Sequence, residues 1–156
     1  MSVVRIPGRP GPPREQPIGM LAAAVGKALD RAFDDALVSA GGNRPTWLIL
    51  LAVKAGAGST QSALAELVGI SGPTLTHHLD RLDAAGLVAR NRDPANRRTQ
   101  PVTLTTSGEA MFLRLRTAAV AFDKRLRIGI ADADIARLRE LLTALRANVP
   151  NPATAR

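Results

Sequence analysis

Two short apolar helical runs stand only three residues apart, and the residues between them are Gly69-Ile70-Ser71. In the first run, 61–68, Leu64, Leu67 and Val68 recur at helical spacing. Gly69 suits the left-handed end of that helix, and Ser71 is a natural N-cap for the next. The second helix is expected over 72–85, stopped by Gly86. Its Leu75, Leu79 and Leu82 fall at i, i+4 and i+7 and share one face. Pro73, Thr74, His77 and Arg81 fall on the other. Two helices joined by a short glycine-containing turn form a helix-turn-helix. A helix that enters a major groove needs one docked side and short or cationic side chains projecting from its first turns. Threonine meets either base type or the thymine methyl, and arginine binds guanine through two hydrogen bonds. Ser71, with the N–H groups beside it, is placed to anchor a phosphate. Thr76 lies nearer the flank, where a phosphate contact and plain helix packing are both open. Arg81 is open between a DNA contact and pairing with an acid such as Asp80. His78 falls beside the leucine stripe and reads as a half-buried structural histidine. It points about 100° away from His77, so the two are not a chelating pair.

The next segment supplies a second basic element. Residues 87–93 and 100–104 read as strands around a Pro94-Ala95-Asn96 turn. Arg90, Arg92, Arg97 and Arg98 crowd this hairpin. The net charge of the chain is +8, yet residues 59–105 carry only five arginines against four acids. The local concentration is therefore the informative quantity. A cationic hairpin fits a narrow minor groove, where negative potential is strongest. A helix-turn-helix followed by an arginine-tipped hairpin is a winged helix.

The string "QSALAELVGISGPTLTHHLDRLDAAGLVARNRDPANRRTQPVTLTTSG", residues 61–108, resembles the MarR family of transcriptional regulators. The resemblance rests on Leu64-Ala65, Ile70-Ser71, Thr74, Thr76, Leu79-Asp80, Leu82, Gly86-Leu87-Val88, Arg90, Arg97-Arg98, Val102, Leu104-Thr105 and Gly108. It implies a mainly α fold with a small β-hairpin wing (α+β), a winged helix-turn-helix flanked by N- and C-terminal dimerisation helices. It also implies a homodimer that represses from a near-palindromic double-stranded operator and is released by a small hydrophobic or phenolic ligand. In such a dimer the apolar stripes of the end helices interlock, which would use Ile18, Leu21, Val25, Leu115, Phe122, Leu138, Leu142 and Leu145. Trp47, Leu51, Phe33 and Phe112 are the candidates for a ligand pocket, with core packing the competing role for the aromatics. The family's wing usually has Asp where this chain has Asn96. Asp93 is near enough in sequence to support the wing in its place.

The flanks fit that layout. Residues 1–17 form a basic Pro/Gly-rich tail, expected to be disordered. N-terminal dimerisation and support helices are expected over 18–58. The winged helix-turn-helix should span 59–105, and C-terminal dimerisation helices 106–149, with a flexible tail at 150–156. Thr105 reads as the N-cap of a long helix and Asp132 as the cap of the last. Lys124, Arg125 and Arg127 read as a solvated face.

Several function classes are disfavoured. The chain has no cysteine, which removes disulfides, thiol catalysis, thiol sensing and cysteine-ligated metal. It has no phosphate-cradling glycine loop, no Gly-x-Ser-x-Gly elbow and no ligand-spaced His/Asp/Glu cluster. No enzyme, cofactor or metal site is therefore expected. No apolar run reaches the roughly 18–20 residues of a membrane span, and the N-terminus lacks a signal-peptide core. A cytoplasmic protein without a membrane partner is the expectation. The competing function is a winged-helix protein-interaction module that binds no specific DNA.

Overall fold

A computed structural model of the chain describes residues 15–56, 60–90 and 101–149. The elements in order are α1 (Ile18–Ser39), α2 (Arg44–Lys54), α3 (Gln61–Val68), α4 (Gly72–Ala84), β1 (Val88–Arg90), β2 (Val102–Leu104), α5 (Thr106–Leu126) and α6 (Asp132–Ala147). This is a mainly helical winged helix with one two-stranded antiparallel hairpin.

Short-range chemistry sets most of the helix ends. Asn43, Thr60, Ser71 and Thr105 each accept a hydrogen bond from a backbone N–H three residues on, at 2.9, 3.1, 3.3 and 3.0 Å. Each satisfies one of the orphan donors of a helix start. Gly69 and Gly86 then end α3 and α4 at φ of +75° and +68°, a region costly for any residue with a Cβ. Behind them the Ile70 N–H donates to the Ala65 carbonyl and the Leu87 N–H to the Leu82 carbonyl. The same six-to-one closure therefore turns the chain at the C-terminal end of each helix of the helix-turn-helix. Asp132 is not the cap of α6. It lies inside the first turn, Ala131 precedes it without a side-chain bond, and the Asp132 carboxylate instead meets Arg127 at 2.8 Å.

The core gathers Leu37, Trp47, Ile49, Leu50, Leu64, Leu75, Leu79, Leu82, Val88, Val102, Phe112 and Leu115. It therefore sits among α2, α3, α4, the hairpin and the first half of α5. Arg44 ties the start of α2 to α1, bonding Asp34 at 2.8 Å and Asp30 at 3.0 Å with its guanidinium over the Phe33 ring. The hydrogen bond to Asp34 is the main reason the Arg44 guanidinium is held above its ordinary pKa. Lys54 meets both oxygens of Glu109, joining the end of α2 to the start of α5. These positions also suit the two helix dipoles, with a cation at one C-terminus and an anion at the other N-terminus.

The two ends of the chain are different. Leu37 is the one buried residue of α1, and α6 buries none. Ile18, Leu21 and Val25 on α1 and Leu138, Leu142 and Leu145 on α6 are all exposed. Leu115, expected in the interface set, belongs instead to the core of the single chain at 0% exposure. A Cβ added at Gly42 would lie 2.7 Å from its side chain. Phe122 is half-buried against Phe33, with ring centroids 5.3 Å apart.

Candidate nucleic-acid interface

The amphipathic division of α4 is sharp. Leu75 and Leu79 are fully buried and Leu82 nearly so, while Pro73, Thr74, Thr76, His77 and Arg81 are exposed on the helix's open side. Ser71 caps the helix, and its hydroxyl also lies 2.7 Å from that of Thr74. The first turn of α4 carries no acid. Pro73 has no N–H and the Thr74 N–H is taken by Ser71, so the Gly72 N–H and the helix dipole present the positive potential to an anion. The Thr76 hydroxyl donates to the Gly72 carbonyl at 3.0 Å, which leaves its methyl as the outward group. Arg81 makes no ion pair among the described residues, because Asp80 turns to another partner. His78 is half-buried, and its ring is inclined 57° to that of His77.

That other partner is Arg90, and here the structure corrects the sequence reading. The Arg90 Nη2 donates to Asp80 Oδ1 at 2.7 Å, and the Arg90 side chain is 5% exposed. A guanidinium so enclosed offers no face to a groove. Strand alternation carried the signal: Arg90 stands two residues after buried Val88 and shares its side of the strand. The register pairs Val88 with Leu104, Ala89 with Thr103 and Arg90 with Val102, and positions 91–93 and 100 of the expected strands lie outside the described residues. Arg92, Asp93, Asn96, Arg97 and Arg98 lie outside the described residues.

One contact at the base of the hairpin escaped the sequence reading. The Thr105 N–H donates to the Leu87 carbonyl at 3.2 Å, and the Thr105 hydroxyl donates to the Gly86 carbonyl. The same hydroxyl accepts from the Gly108 N–H. Gly108 is buried, and a Cβ built on it would lie 1.9 Å from the Leu87 carbonyl oxygen. The first turn of α5 is thus pressed against the Gly86-Leu87 turn that follows α4. The Thr105-x-x-Gly108 spacing is the trace of this joint in the sequence.

None of the cavities among the described residues is lined by all four pocket candidates. Trp47 stacks on Phe112 with centroids 5.8 Å apart and planes 12° apart, while Phe33 pairs with Phe122. Leu51 is exposed. Trp47 does line a groove of about 500 Å³ with Arg116, Ala119, Val120, Asp123, Lys124 and Arg127. Asp123 is shared with Arg127 at 3.7 Å. Arg116 was not singled out from the sequence; its spacing to Val120 and Lys124 at i+4 and i+8 marks the shared face. Among the described residues no helix is long and apolar enough to cross a membrane.

A family model described as the MarR family matches residues 41–99. Among solved structures, a point mutant of E. coli MarR complexed with operator DNA aligns at 25% identity and a TM-score of 0.70, covering 82% of this chain and 92% of that one. A Mycobacterium tuberculosis MarR family protein in complex with salicylic acid aligns at 26% identity and 0.64, covering 85% and 98%. CouR from Rhodococcus jostii, bound to p-coumaroyl-CoA, aligns at 26% and 0.68, covering 86% and 94%.

Proposed function

The chain belongs to the MarR family of transcription regulators, and on that premise we propose that it is a homodimeric repressor released from a near-palindromic operator by a small ligand. The observation that carries this reading is α4: three leucines docked, and Ser71, Pro73, Thr74, Thr76, His77 and Arg81 left open along the other side. In this reading those residues enter the major groove, with Ser71 and the helix N-terminus on a phosphate. Arg92, Arg97 and Arg98 enter the flanking minor groove, with Asp93 and Asn96 supporting them. The relative solved with operator DNA supports the class of partner.

The exposed leucines of α6 and the apolar start of α1 supply the dimerisation surface. A helix that buries nothing in its own chain gains little from packing and needs a cover. Two α4 helices would then stand about 34 Å apart, one turn of DNA. Leu142→Glu places a charge within this surface, and the protein should sediment as a monomer at concentrations where the wild type is dimeric. A Leu142→Glu protein that remains dimeric removes α6 from the interface.

The groove beside Trp47 is the ligand site in this reading. It offers an indole wall, two small apolar side chains and three cations against one carboxylate. That lining suits a planar aromatic anion, in keeping with the salicylic acid and p-coumaroyl-CoA bound by two relatives.

The deciding experiment is selection of bound duplexes from a random-sequence pool, followed by titration of the recovered site. Arg98→Ala should weaken binding to that site by about 1–3 kcal/mol. Failure of the wild type to enrich any sequence would refute the regulator reading. Unchanged affinity in Arg98→Ala would remove Arg98 from the interface.

A further inference from the structure

The hairpin has a mechanical problem that the Asp80–Arg90 pair resolves. Among the described residues each strand covers three positions, and the sheet has only these two. A two-stranded ribbon of that size does not hold its own orientation in water. Its direction relative to α4 must come from contacts outside itself. The Gly86-Leu87 joint is one point of attachment, where Leu87 donates back to Leu82 and accepts from Thr105. Buried Val88 and Val102 seat the base of the hairpin on the core, and a tether beyond them fixes the direction in which it leaves. That tether is the ion pair, made from the last residue of β1 to a residue in the middle of α4.

Energetics argue that the pair is kept for geometry. Arg90 is nearly enclosed, and its Nε has no hydrogen-bond partner among the described residues. A cation held with an unsatisfied N–H is a poor stabiliser, and an apolar side chain of similar volume is commonly as stable or more so. Asp80 is 62% exposed, so the attraction is also screened on one side. A planar guanidinium does, however, fix direction as well as distance when it meets a carboxylate.

We propose that Asp80 and Arg90 are positioning residues, a strut that sets the angle between the recognition helix and the wing so that both can engage one duplex. Neither touches DNA in this scheme. The proposal rests on the DNA-binding reading above, since it assigns the strut's purpose to that reading. A reading head must be held within about 0.5 Å and 10–20° of its working geometry, which an untethered ribbon does not achieve.

The test uses Arg90→Met, which keeps the volume, and Asp80→Ala, which leaves the nearly enclosed guanidinium unpaired. Arg90→Met should melt within a few degrees of the wild type and Asp80→Ala lower, so exchange is read well below both melting temperatures. In both, amide hydrogen exchange across β1 and β2 should accelerate about tenfold or more, with the α4 amides unchanged. Affinity for a duplex recovered from a random pool by the wild-type chain should fall about tenfold or more, as for loss of a direct contact. Asp80→Glu, which can reach the same guanidinium, should recover most of both. If Arg90 were itself a DNA ligand, Asp80→Ala would release it and tighten binding, which would overturn the strut. Wing exchange unchanged in both variants would also overturn it. If the wild type recovers no duplex, the regulator reading fails, and the exchange measurement still decides whether the strut exists.

Discussion

Gly108→Ala should unfold about 6–12 °C below the wild type, the shift expected when a domain of this size loses about 3 kcal/mol. The cause is a backbone atom. The added Cβ would meet the Leu87 carbonyl oxygen at 1.9 Å, far inside contact distance. Neighbouring side chains can rotate away from an intruder, but this oxygen cannot. It is fixed by the Thr105 N–H and by the closed turn at Gly86. Relief requires sliding α5 off the turn after α4, which would break the Thr105 bonds to both carbonyls. Alanine ordinarily stabilises a helix over glycine by about 1 kcal/mol, so the sign alone distinguishes contact from propensity. A thermal melt checks it, and a Gly108→Ala protein as stable as wild type would show that α5 and the turn after α4 are not pressed together here.

Binding to the selected operator should weaken about 10³-fold or more between 50 and 200 mM salt. With Arg90 consumed by Asp80, the wing offers three arginines per protomer, Arg92, Arg97 and Arg98. In the proposed dimer two wings would neutralise about six phosphates, giving a slope near −5 in log affinity against log salt. The helix N-termini and Arg81 would steepen it further. The terminal helices hold nine bases and five acids in residues 106–156, and that surplus raises the general attraction to DNA without reading a base. Fluorescence anisotropy at several salt concentrations measures the slope directly. A slope shallower than about −2 would mean that the wing arginines do not reach phosphates.

The local parts of the fold were legible because their causes are local. Ser71, Thr105, Gly69 and Gly86 each act within a few residues, and the leucine stripe of α4 is a simple period. The core-facing Leu75, Leu79 and Leu82 followed from that period and are buried as expected. Leu115 was misplaced because a stripe tells which side of a helix is apolar and not what covers it. On α5 the cover is the chain's own core, including the tight approach at Gly42. Asp132 failed as a cap because Arg127, five residues earlier, competes for its carboxylate. Arg90 was grouped with the wing arginines on charge alone, although its side of the strand already pointed inward. The groove beside Trp47 depends on how α2 crosses α5, and no window of sequence records a crossing.

The joint at Gly108 makes α5 a lever. Leu126 stands 18 residues beyond it, about 27 Å along the axis at 1.5 Å per residue. A tilt of about 5° about the joint would carry that far end through about 2 Å, while the turn after α4 only rotates. The groove residues from Arg116 to Arg127 lie along the arm and not at the pivot. In the proposed function, a ligand that shifted the arm would act on the turn after α4 through the packing of Phe112 and Leu115 in the core. The same coupling would run in reverse, so a duplex bound at α4 would also bear on the groove.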